Sequence, residues 1–578
     1  MLLCAQYVLP VTSDPIVGGA VLVRDGRIRD IGKTEMLRLR YPDEEVLDYG
    51  TAAIMPGLVD LHTHMENSIM RGIVHDVPYI TWLASVAALS AKMEVSDWYD
   101  SAILGGLDAL ASGITCVADI TTTGAACTAA QKLGLRGVVY REVGVMDKRR
   151  IDYAMRAAEN DIMHWSQEVD PGRITIGIAP APIYMCHPAV FGRVSELATR
   201  DDLPVAMHLA GSREEYYFVK RGSSSFSVHG ESVRRGFIEI PPWLPTGVSP
   251  VRYALNWGAF ESPNVLAVHC VHTNEEDVKK LKEYNVAIAV CPRCNAQLGM
   301  GVAPVDEFMR AGLRVGIGTD SPAATDSTDM LSEMRLGMLI QRAVNVGRFL
   351  DSESMLEMAT IGGARALKLD DEIGSLEIGK RADIIAVDLS SSQQSPSTNP
   401  VSAMVNTCTS ADVIMTMVDG KTLYELRMPQ ESLGGQSVLD ALLEPTRIYV
   451  KPVRSVLRQL PGAVRSLAHI TGGGITENLN RALPENMDAE VHVGTWGMPP
   501  IIPFVCHAAH LDEHEALKTF NMGLGMVLVV DPGKVDQVME ILEAEGEAPT
   551  VVGRIVPGSG EVAYVDQDKL FESDSAAE

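Results

Sequence analysis

Two histidines one residue apart, His62 and His64, stand at the end of an apolar run in the segment PGLVDLHTHMENSIMRG. In a β-strand, residues i and i+2 point to the same face, so both imidazoles would project to one side of the strand end. Such a pair can hold a metal ion, but it can equally be a hydrogen-bonded pair in a turn. A metal site therefore requires further ligands from elsewhere in the chain.

Further candidate ligands occur at the ends of other strand-like runs. His208 lies in MHLAGSREE, His269 in VHCVHT and Asp320 in GTDS. Each of these residues alone could be a satisfied polar group at a strand end. Together with the first two histidines they indicate a cluster, and three neutral imidazoles with one carboxylate suit Zn2+, with Fe2+ or Mn2+ as alternatives. Such a metal makes hydroxide available from bound water near neutral pH, and a further histidine beside it can shuttle protons.

The candidate ligands require a scaffold that brings distant strand ends together. Eight apolar runs alternate with amphipathic helical stretches, and the predicted strands are 54–62, 114–120, 135–142, 174–180, 203–210, 264–271, 286–292 and 313–320. Repeated βα units of this kind predict a (β/α)8 barrel, in which strands are continuous apolar runs because both of their faces are buried. Barrel enzymes carry their chemistry at the carboxyl ends of the strands, where the histidines and the aspartate fall.

Segments on both sides of the barrel are β-like. Alternating residues around Asp25 and Gly26 predict a hairpin, and similar segments recur after the barrel. Residues 1–55 and 365–427 are therefore expected to form a small composite β-sandwich next to a barrel at 56–364.

The remaining sequence predicts a second domain. Residues 428–440 are rich in Gly, Ser and Gln and are interpreted as a linker, whereas 441–570 have their own strands and helices. Residues 571–578 are expected to be a disordered tail. The predicted fold class is α/β: a (β/α)8 TIM-type barrel with a small composite β-sandwich, plus a separate C-terminal α+β domain.

Composition excludes several classes of function. The 578-residue chain has 49 Lys plus Arg against 75 Asp plus Glu, which gives a formal net charge of -26. A surface this acidic repels phosphate backbones and anionic lipids, so we expect no nucleic-acid or membrane partner. The nine cysteines lie in apolar runs, which indicates reduced thiols in a cytoplasmic protein. Cys291 and Cys294 lack a second pair and are interpreted as ordinary cysteines rather than a zinc knuckle.

These motifs together resemble the amidohydrolase superfamily. The segments that are similar to its 5-methylthioadenosine/S-adenosylhomocysteine deaminase branch span about residues 1–430 and include PGLVDLHTHMENSIMRG, MHLAGSREE, LAVHCVHTNEEDV, CPRCNAQLGMGVAPV and GIGTDSPAATDSTDMLSEMR. The resemblance implies a mononuclear site, since no strand-end lysine is available for carboxylation. It implies that His269 is a catalytic histidine beside one divalent metal, and that the metal is bound by His62, His64, His208 and Asp320. On this interpretation Asp320 takes the proton of the attacking water and His269 steadies the tetrahedral oxyanion.

One departure from the family concerns the proton donor. Family deaminases have H-L-x-E after the fifth strand, and that glutamate protonates the substrate ring; here the position is Gly211. General acid–base help is worth about 10²–10⁴-fold, so its loss matters. Glu214 and Glu215 are candidate substitutes if the loop folds back, although both could equally be solvated loop carboxylates.

Two further departures concern substrate contacts. The family's P-H-x-P histidine is replaced by Ala181, with His187 nearby but out of register, and its ribose-contacting glutamate is replaced by Thr81. An intact metal set beside altered substrate positions supports metal-dependent hydrolysis and weakens the prediction of a nucleoside substrate.

The C-terminal segment resembles a different family. LLEPTRIYVKPV, AHITGGGITENLNRALPENM and FNMGLGMVLVV are similar to the C-terminal domain of phosphoribosylformylglycinamidine cyclo-ligase, also called aminoimidazole ribonucleotide synthetase. A Gly-rich loop that opens a helix can hold an anion, although it can also be only a tight turn. The candidate anion- or substrate-binding residues are Gly472, Gly473, Gly474, Thr476, Glu477 and Asn478. That family also needs an N-terminal domain that nothing here resembles, so we expect no ATP-dependent ring closure by this chain alone.

The sequence therefore predicts a metal-dependent hydrolase that cleaves a carbon–nitrogen bond of a small molecule. The expected reaction is hydrolytic deamination of a purine-like or other aminated heterocycle. Two alternatives stay open: a purine-biosynthesis protein whose cyclo-ligase-related segment carries the function, and a binding or scaffold protein weakened by Gly211. We also expect a homo-oligomer.

Overall fold

The computed structural model describes residues 1–222, 245–344, 349–394, 397–425 and 430–566. The chain forms two compact units, Met1–Glu425 and Leu426–Glu578, which are described separately below. The predicted disordered tail at 571–578 lies outside the described residues, as do positions 428 and 429 of the predicted linker.

Eight parallel strands, hydrogen-bonded in chain order, form the barrel of the first unit. They are Leu58–Thr63, Ile114–Thr121, Arg136–Val143, Ile174–Pro180, Val205–Leu209, Val265–His269, Ala287–Val290 and Val315–Ile317. Thr63 and Asp320 form a parallel bridge, and the Asp320 N–H donates to the His62 carbonyl oxygen at 2.8 Å. The first and eighth strands therefore meet, and the predicted (β/α)8 barrel is confirmed.

Alternate side chains of the barrel strands belong to two apolar clusters. In the third strand, Val138 and Tyr140 join the cluster inside the barrel, together with Ala206 of the fifth strand. Val139 and Val143 of the same strand join the cluster between the strands and the surrounding helices. Both strand faces are buried, which is why the strands are continuous apolar runs in the sequence.

Helices surround the barrel and complete the first unit. The described α-helices are Thr34–Arg40, Tyr79–Ser90, Val95–Ala111, Ala125–Leu133, Ile151–Glu168, Ala189–Asp201, Arg213–Arg221, Pro250–Asn256, Glu275–Glu283, Pro292–Gln297, Val305–Arg310, Pro322–Thr325, Met330–Val344, Ser352–Met358, Ile361–Leu367 and Pro400–Thr407. Among the described residues, no helix is long and apolar enough to cross a membrane.

The composite part of the first unit takes strands from both sides of the barrel sequence. The predicted hairpin turns at Asp25 and Gly26, which both have positive φ. All strands of the predicted β-sandwich are hydrogen-bonded into one eight-stranded sheet. They are Leu2–Val8, Ile16–Arg24, Arg27–Lys33, Val46–Asp48, Ala52–Pro56, Ile384–Asp388, Val413–Val418 and Lys421–Glu425.

The single strand predicted at 54–62 is wrong, because the chain divides there between two sheets. Ala52–Pro56 belongs to the composite sheet and Leu58–Thr63 to the barrel. Gly57 lies at the crossing, and a Cβ on it would come within 2.0 Å of Thr115 Oγ1. Only glycine allows this close approach, so the division is set by a contact that the local sequence does not reveal.

Arg136, the first residue of the third barrel strand, joins the barrel to the composite sheet. Its guanidinium donates to Asp383 Oδ2 at 2.7 Å and to Asp419 Oδ1 at 2.6 Å. Arg136 and Asp383 are buried. Removing one member of a buried ion pair leaves an uncompensated charge, which costs about 3–5 kcal/mol.

We therefore expect Arg136→Met to lower the free energy of unfolding of the first unit by about 3–5 kcal/mol. The matched control is Arg200→Met, because Arg200 forms ion pairs with Glu159 and Asp201 on the surface. Exposed pairs of that kind are worth about 0–1 kcal/mol. Thermal unfolding of the full chain, followed by circular dichroism, compares the stability of both variants with that of the wild type. Equal losses of stability in the two variants would show that the buried pairs of Arg136 stabilise the protein no more than the surface pairs of Arg200.

The second unit is a small α+β structure. Its helices are Val438–Leu442, Val450–Gln459, Gly474–Asn480, Ile501–Ala508, Glu513–Thr519 and Val535–Ala544. Val464–His469 pairs antiparallel with Met526–Val530, and Met487–His492 lies between Gly553–Pro557 and Val562–Val565. The first helix begins inside the predicted linker, because Ser437 accepts a hydrogen bond from the Asp440 N–H at 3.0 Å and caps it.

All nine cysteines of the chain are unpaired and buried, as the apolar runs around them predict.

Candidate metal centre

The four histidines and the aspartate singled out in the sequence meet at the carboxyl ends of the barrel strands. Candidate ligand atoms of His62, His64 and His208 lie within 4.8 Å of one another. His64 Nε2 is 3.3 Å from His208 Nε2. Asp320 Oδ1 is 3.5 Å from His62 Nε2 and 3.9 Å from His64 Nε2.

The cluster has the donor set and an unsatisfied atom of a metal site. His62 Nε2 is buried and has no hydrogen-bond partner among the described atoms, whereas buried polar atoms are normally paired. Burial lowers the pKa of His62 to about 4 and holds that of His208 well below its usual value, so both rings are neutral ligands at pH 7. Three imidazoles and a carboxylate fit a divalent metal ion.

Neighbouring polar groups fix the candidate ligands in place. His64 Nδ1 lies 3.0 Å from the Ile120 carbonyl oxygen, so Nδ1 carries the proton and Nε2 presents its lone pair to the centre of the cluster. The Asp60 carboxylate accepts hydrogen bonds from Thr319 N at 2.9 Å and Thr319 Oγ1 at 2.5 Å, which ties the first strand to the eighth. Sequence reasoning missed Asp60, although its two-residue spacing from His62 was a signal.

His269 occupies the sixth strand end and has a partner of its own. Its Nδ1 lies 3.0 Å from Asn295 Oδ1, and its Nε2 lies 3.7 Å from Asp320 Oδ2. Asn295 therefore orients the imidazole toward the cluster, although it is not among the site residues that the sequence predicts. Cys291 was interpreted as an ordinary cysteine, yet its Sγ lies within 4.8 Å of the candidate ligand atoms of His269 and Asp320.

Comparison with known proteins agrees with this geometry. The sequence model described as the amidohydrolase family matches residues 53–423. The chain belongs to the amidohydrolase family. It is thus a hydrolase that acts on carbon–nitrogen bonds other than peptide bonds, and the family match together with the His/Asp cluster supports a divalent metal ion.

Relatives of this amidohydrolase cover most of its first unit. The 5-methylthioadenosine/S-adenosylhomocysteine deaminase of Desulforudis audaxviator (strain MP104C) is 32% identical over 431 residues, covering 74% of this chain and 94% of the relative. The protein with the same name in Desulforamulus reducens (strain ATCC BAA-1160 / DSM 100696 / MI-1) is 30% identical over 409 residues, covering 70% and 88%. A crystal structure of an adenosine deaminase from Xanthomonas campestris with bound zinc is 27% identical, with a TM-score of 0.62 and coverage of 73% and 92%.

Two further matches concern the rest of the amidohydrolase chain. Residues 415–566 match the AIR synthase related protein, C-terminal domain, which confirms the predicted fusion. Residues 19–43 match the imidazolonepropionase-like composite domain of bacteria. The structure of Escherichia coli guanine deaminase, 21% identical with a TM-score of 0.62 and coverage of 73% and 99%, shares the fold.

The candidate proton donors of the amidohydrolase lie on a helix rather than in a loop. Glu214 and Glu215 are in the first turn of Arg213–Arg221, where Ser212 Oγ accepts the Glu215 N–H. Glu215 is buried, and its two oxygens accept the N–H groups of Ala210 and Gly211 at 2.9 Å each. The alternative of a solvated loop carboxylate is therefore excluded for Glu215. The S-x-x-E spacing was the signal that predicts this helix start.

The open side of Gly211 faces His269. A Cβ at Gly211 would lie 3.1 Å from His269 Cδ2 and 3.1 Å from Met300 Cε. A side chain at this position would thus enter the reaction space, which is where the family glutamate is expected. Catalytic roles for Glu214 and Glu215 stay predictions, and Glu214 is the more exposed of the two.

Stability should depend on pH through Glu215. Burial raises the pKa of its carboxyl from 4.5 to about 7. The folded state therefore holds this proton more tightly than the unfolded state, so its contribution is complete below about pH 4.5 and is lost as the pH rises through about 7. Relative to Glu215→Gln, we expect the wild-type free energy of unfolding to fall by about 2–3 kcal/mol between about pH 5 and pH 8.

Urea unfolding of the full chain at both pH values measures this difference, with Glu214→Gln as the control because Glu214 is not buried. A wild-type curve parallel to that of Glu215→Gln would mean that the Glu215 carboxyl is already ionised in the folded protein at about pH 5.

The structure places His187, Ala181 and Thr81, the residues at or near the family's substrate-contact positions, in the following surroundings. His187 is buried, and its Nδ1 accepts the Ala189 N–H at 3.2 Å at the start of the helix Ala189–Asp201. Ala181 follows the fourth strand, where its N–H donates to the Val143 carbonyl oxygen at 3.0 Å. Thr81 is exposed.

The Gly-rich loop of the second unit is held by its own side chains. Asn478 Nδ2 donates to the carbonyl oxygens of Thr471, Gly472 and Gly474 at 3.3, 3.1 and 2.8 Å. Thr476 Oγ1 is 2.7 Å from the Tyr564 hydroxyl. Glu477 forms an ion pair with Arg481, and a Cβ on Gly473 would lie 2.6 Å from the Glu477 carboxylate. Anion binding by these residues stays a prediction. The Glu477 carboxylate lies close to the loop that would hold the anion.

Proposed function

We propose that this amidohydrolase is a zinc-dependent hydrolytic deaminase of an aminated heterocycle. The observation that carries the proposal is the convergence of three histidines and Asp320 at the barrel mouth, with an unpartnered Nε2 on His62 and the Nε2 atoms of His64 and His208 3.3 Å apart. The names of the matched relatives, deaminases of purine nucleoside derivatives, support hydrolytic removal of an amino group as the reaction.

The residues proposed to hold the ion are His62, His64, His208 and Asp320. When bound, zinc supplies Lewis-acid activation of a water molecule. Asp320 Oδ2 would accept a proton from that water, since Oδ1 is the oxygen nearest to His62 and His64 and Oδ2 lies 3.7 Å from His269 Nε2. One water is consumed, a carbon–oxygen bond replaces the carbon–nitrogen bond, and ammonia leaves.

His269 is proposed to carry protons during this exchange. Because its Nδ1–H is donated to Asn295, the neutral ring presents an unprotonated Nε2 to the reaction space. Nε2 can take up a proton near Asp320, and the resulting imidazolium steadies the negative charge that develops on the substrate oxygen. Because residue 211 is a glycine, the proton for the leaving amine or the ring nitrogen is proposed to come from another residue. The candidates are the carboxyl groups of Glu215 and Glu214.

The test combines metal content with ammonia release. The full chain is stripped with a chelator, reloaded with Zn2+, Fe2+ or Mn2+, and assayed with adenosine, 5-methylthioadenosine, S-adenosylhomocysteine, adenine and guanine. We expect one zinc per chain and zinc-dependent ammonia release from at least one compound. A chain without stoichiometric metal would contradict the proposal, whereas a metal-loaded chain that is inert to the panel yet binds a ribonucleotide favours the scaffold alternative.

A further inference from the structure

A carboxyl outside the proposed machinery lies on the inner wall of the barrel mouth. Glu142 is the penultimate residue of the third strand, Arg136–Val143. Its neighbours alternate as the strand requires: Tyr140 belongs to the cluster inside the barrel, and Val143 to the cluster under the helices. Arg141 points outward, since its guanidinium donates to Asp161 at 2.8 Å on a surrounding helix. The Glu142 side chain therefore projects into the barrel.

Strand register places Glu142 close to the metal centre. Glu142 pairs with Ala179 of the fourth strand, and Ile178 pairs with Val205 of the fifth, so Ala206 lies at the same level. His208 projects from the same face two residues further toward the carboxyl end. Burial raises the pKa of the Glu142 carboxyl, while the nearby His64 lowers it.

The Glu142 carboxyl differs from the nearby carboxyl groups of Glu66 and Glu215 in its hydrogen bonding. The carboxylate of Glu66 accepts the hydroxyls of Thr121 and Thr123, and that of Glu215 accepts two backbone N–H groups. Among the described residues, no hydrogen bond or ion pair reaches the Glu142 carboxyl, and the residue is partly exposed. A deep but accessible acceptor without a partner is suited to receive a donor from a ligand, since charge-assisted hydrogen bonds are the stronger ones.

The segments around Glu142 favour a compact ligand. The hydroxyls of Tyr79 and Tyr184 contact each other, and so bridge the segments that follow the first and fourth strands. The rings of Tyr79 and Trp82 stack, with centroids 6.2 Å apart and planes 20° apart. At the two family positions that contact a nucleoside, this chain has Ala181 and the exposed Thr81.

We propose that Glu142 determines specificity by accepting a hydrogen bond from the ring N–H that a free aminated base has where a nucleoside carries its sugar. The inference rests on the proposed function, because it names the substrate class of the same site. A carboxylate has only acceptors to offer, so the matching edge of the substrate must present a donor. A free purine or a similar aminated ring has such an N–H where a nucleoside carries its sugar.

The experiment compares base with nucleoside and removes the charge of Glu142. Wild type, Glu142→Gln and Glu142→Asp are loaded with zinc and assayed for ammonia release from adenine, adenosine, guanine and guanosine. Binding of the product bases hypoxanthine and xanthine is measured by calorimetry, which needs no turnover. The control is Glu196→Gln, because Glu196 is an exposed carboxylate on a helix outside the barrel.

We expect bases to exceed nucleosides in kcat/KM by at least about 10-fold in the wild type. In Glu142→Gln, we expect KM for the base and the Kd of its product to rise about 10- to 100-fold, with a smaller change in kcat and unchanged zinc content. Glu142→Asp should shift the same two quantities in the same direction, and the control should match the wild type.

Three results overturn the inference. They are a preference for nucleosides, a Glu142→Gln variant that loses kcat while KM and Kd stay at wild-type values, and a zinc-loaded protein that neither binds nor deaminates any base. The first two leave the proposed deaminase standing. Conversely, base binding that depends on Glu142 without any ammonia release supports the recognition role and contradicts the deaminase.

Discussion

Asp320→Asn is expected to abolish ammonia release and to lower zinc occupancy in the same preparation. Asp320 contributes the only carboxylate of the proposed ligand set, and its Oδ1 lies 3.5 Å from His62 Nε2. Burial favours its neutral form, but the close approach of the His62 ring holds the pKa of Asp320 well below its usual range, so it is an anion in the folded protein. An amide has neither this charge nor the ability to accept a proton.

Two losses combine in Asp320→Asn, because the variant removes a ligand and a proton acceptor together. Proton transfer alone is worth about 10²–10⁴-fold, so we expect kcat/KM to fall by at least about 10³-fold. Metal content by mass spectrometry and ammonia release with the preferred compound of the panel measure the two effects. The control is Asp43→Asn, at an exposed position. A variant that keeps full metal content and normal turnover would place the chemistry elsewhere in the chain.

His269→Gln is the second large effect, and it separates chemistry from metal binding. His269 is not in the proposed ligand set, and its ring is tied to Asn295 by a 3.0 Å hydrogen bond. We expect kcat to fall by about 10²–10⁴-fold while zinc content stays at the wild-type level. Loss of zinc together with activity would make His269 a ligand and would revise the proposed set.

Asn295→Ala is expected to have a smaller effect of the same kind as His269→Gln. Removal of a group that only orients a catalytic or ligating histidine typically costs about 10- to 100-fold. Asn295→Ala should therefore fall between wild type and His269→Gln in kcat, again with full zinc content. If Asn295→Ala were as impaired as His269→Gln, Asn295 would do more than orient the ring.

Much of the barrel could be predicted because its signals are local. Continuous apolar runs indicate strands that are buried on both faces. Polar residues at the ends of these runs indicate the carboxyl ends of the strands, where barrel enzymes carry their chemistry. His62, His64, His208, His269 and Asp320 were found in this way, and the structure brings all five together. The resemblance to the amidohydrolases then separated the proposed ligands from the proposed proton carrier, which spacing alone did not do.

The residues that were missed depend on contacts between distant segments. Gly57 divides two strands because of Thr115, which is far away in the sequence. Glu142 lies in an ordinary strand segment, YREV, and its closeness to the metal-site candidates follows only from the register of the third, fourth and fifth strands. Glu215 was expected in a loop, whereas Ser212 caps a helix that holds Glu215 in its first turn. The predicted homo-oligomer remains a prediction.

The bridge that joins the first and eighth strands has a consequence for assembly. Thr63 and Asp320 are 257 positions apart, and the candidate ligands beside them come from the same two strands and from the fifth. No short stretch of the chain therefore contains a complete binding site. If His62, His64, His208 and Asp320 hold the ion, a chain emerging from the ribosome offers the full set of ligands only after Asp320 has been synthesised. Complete coordination would then come late in the synthesis of the barrel.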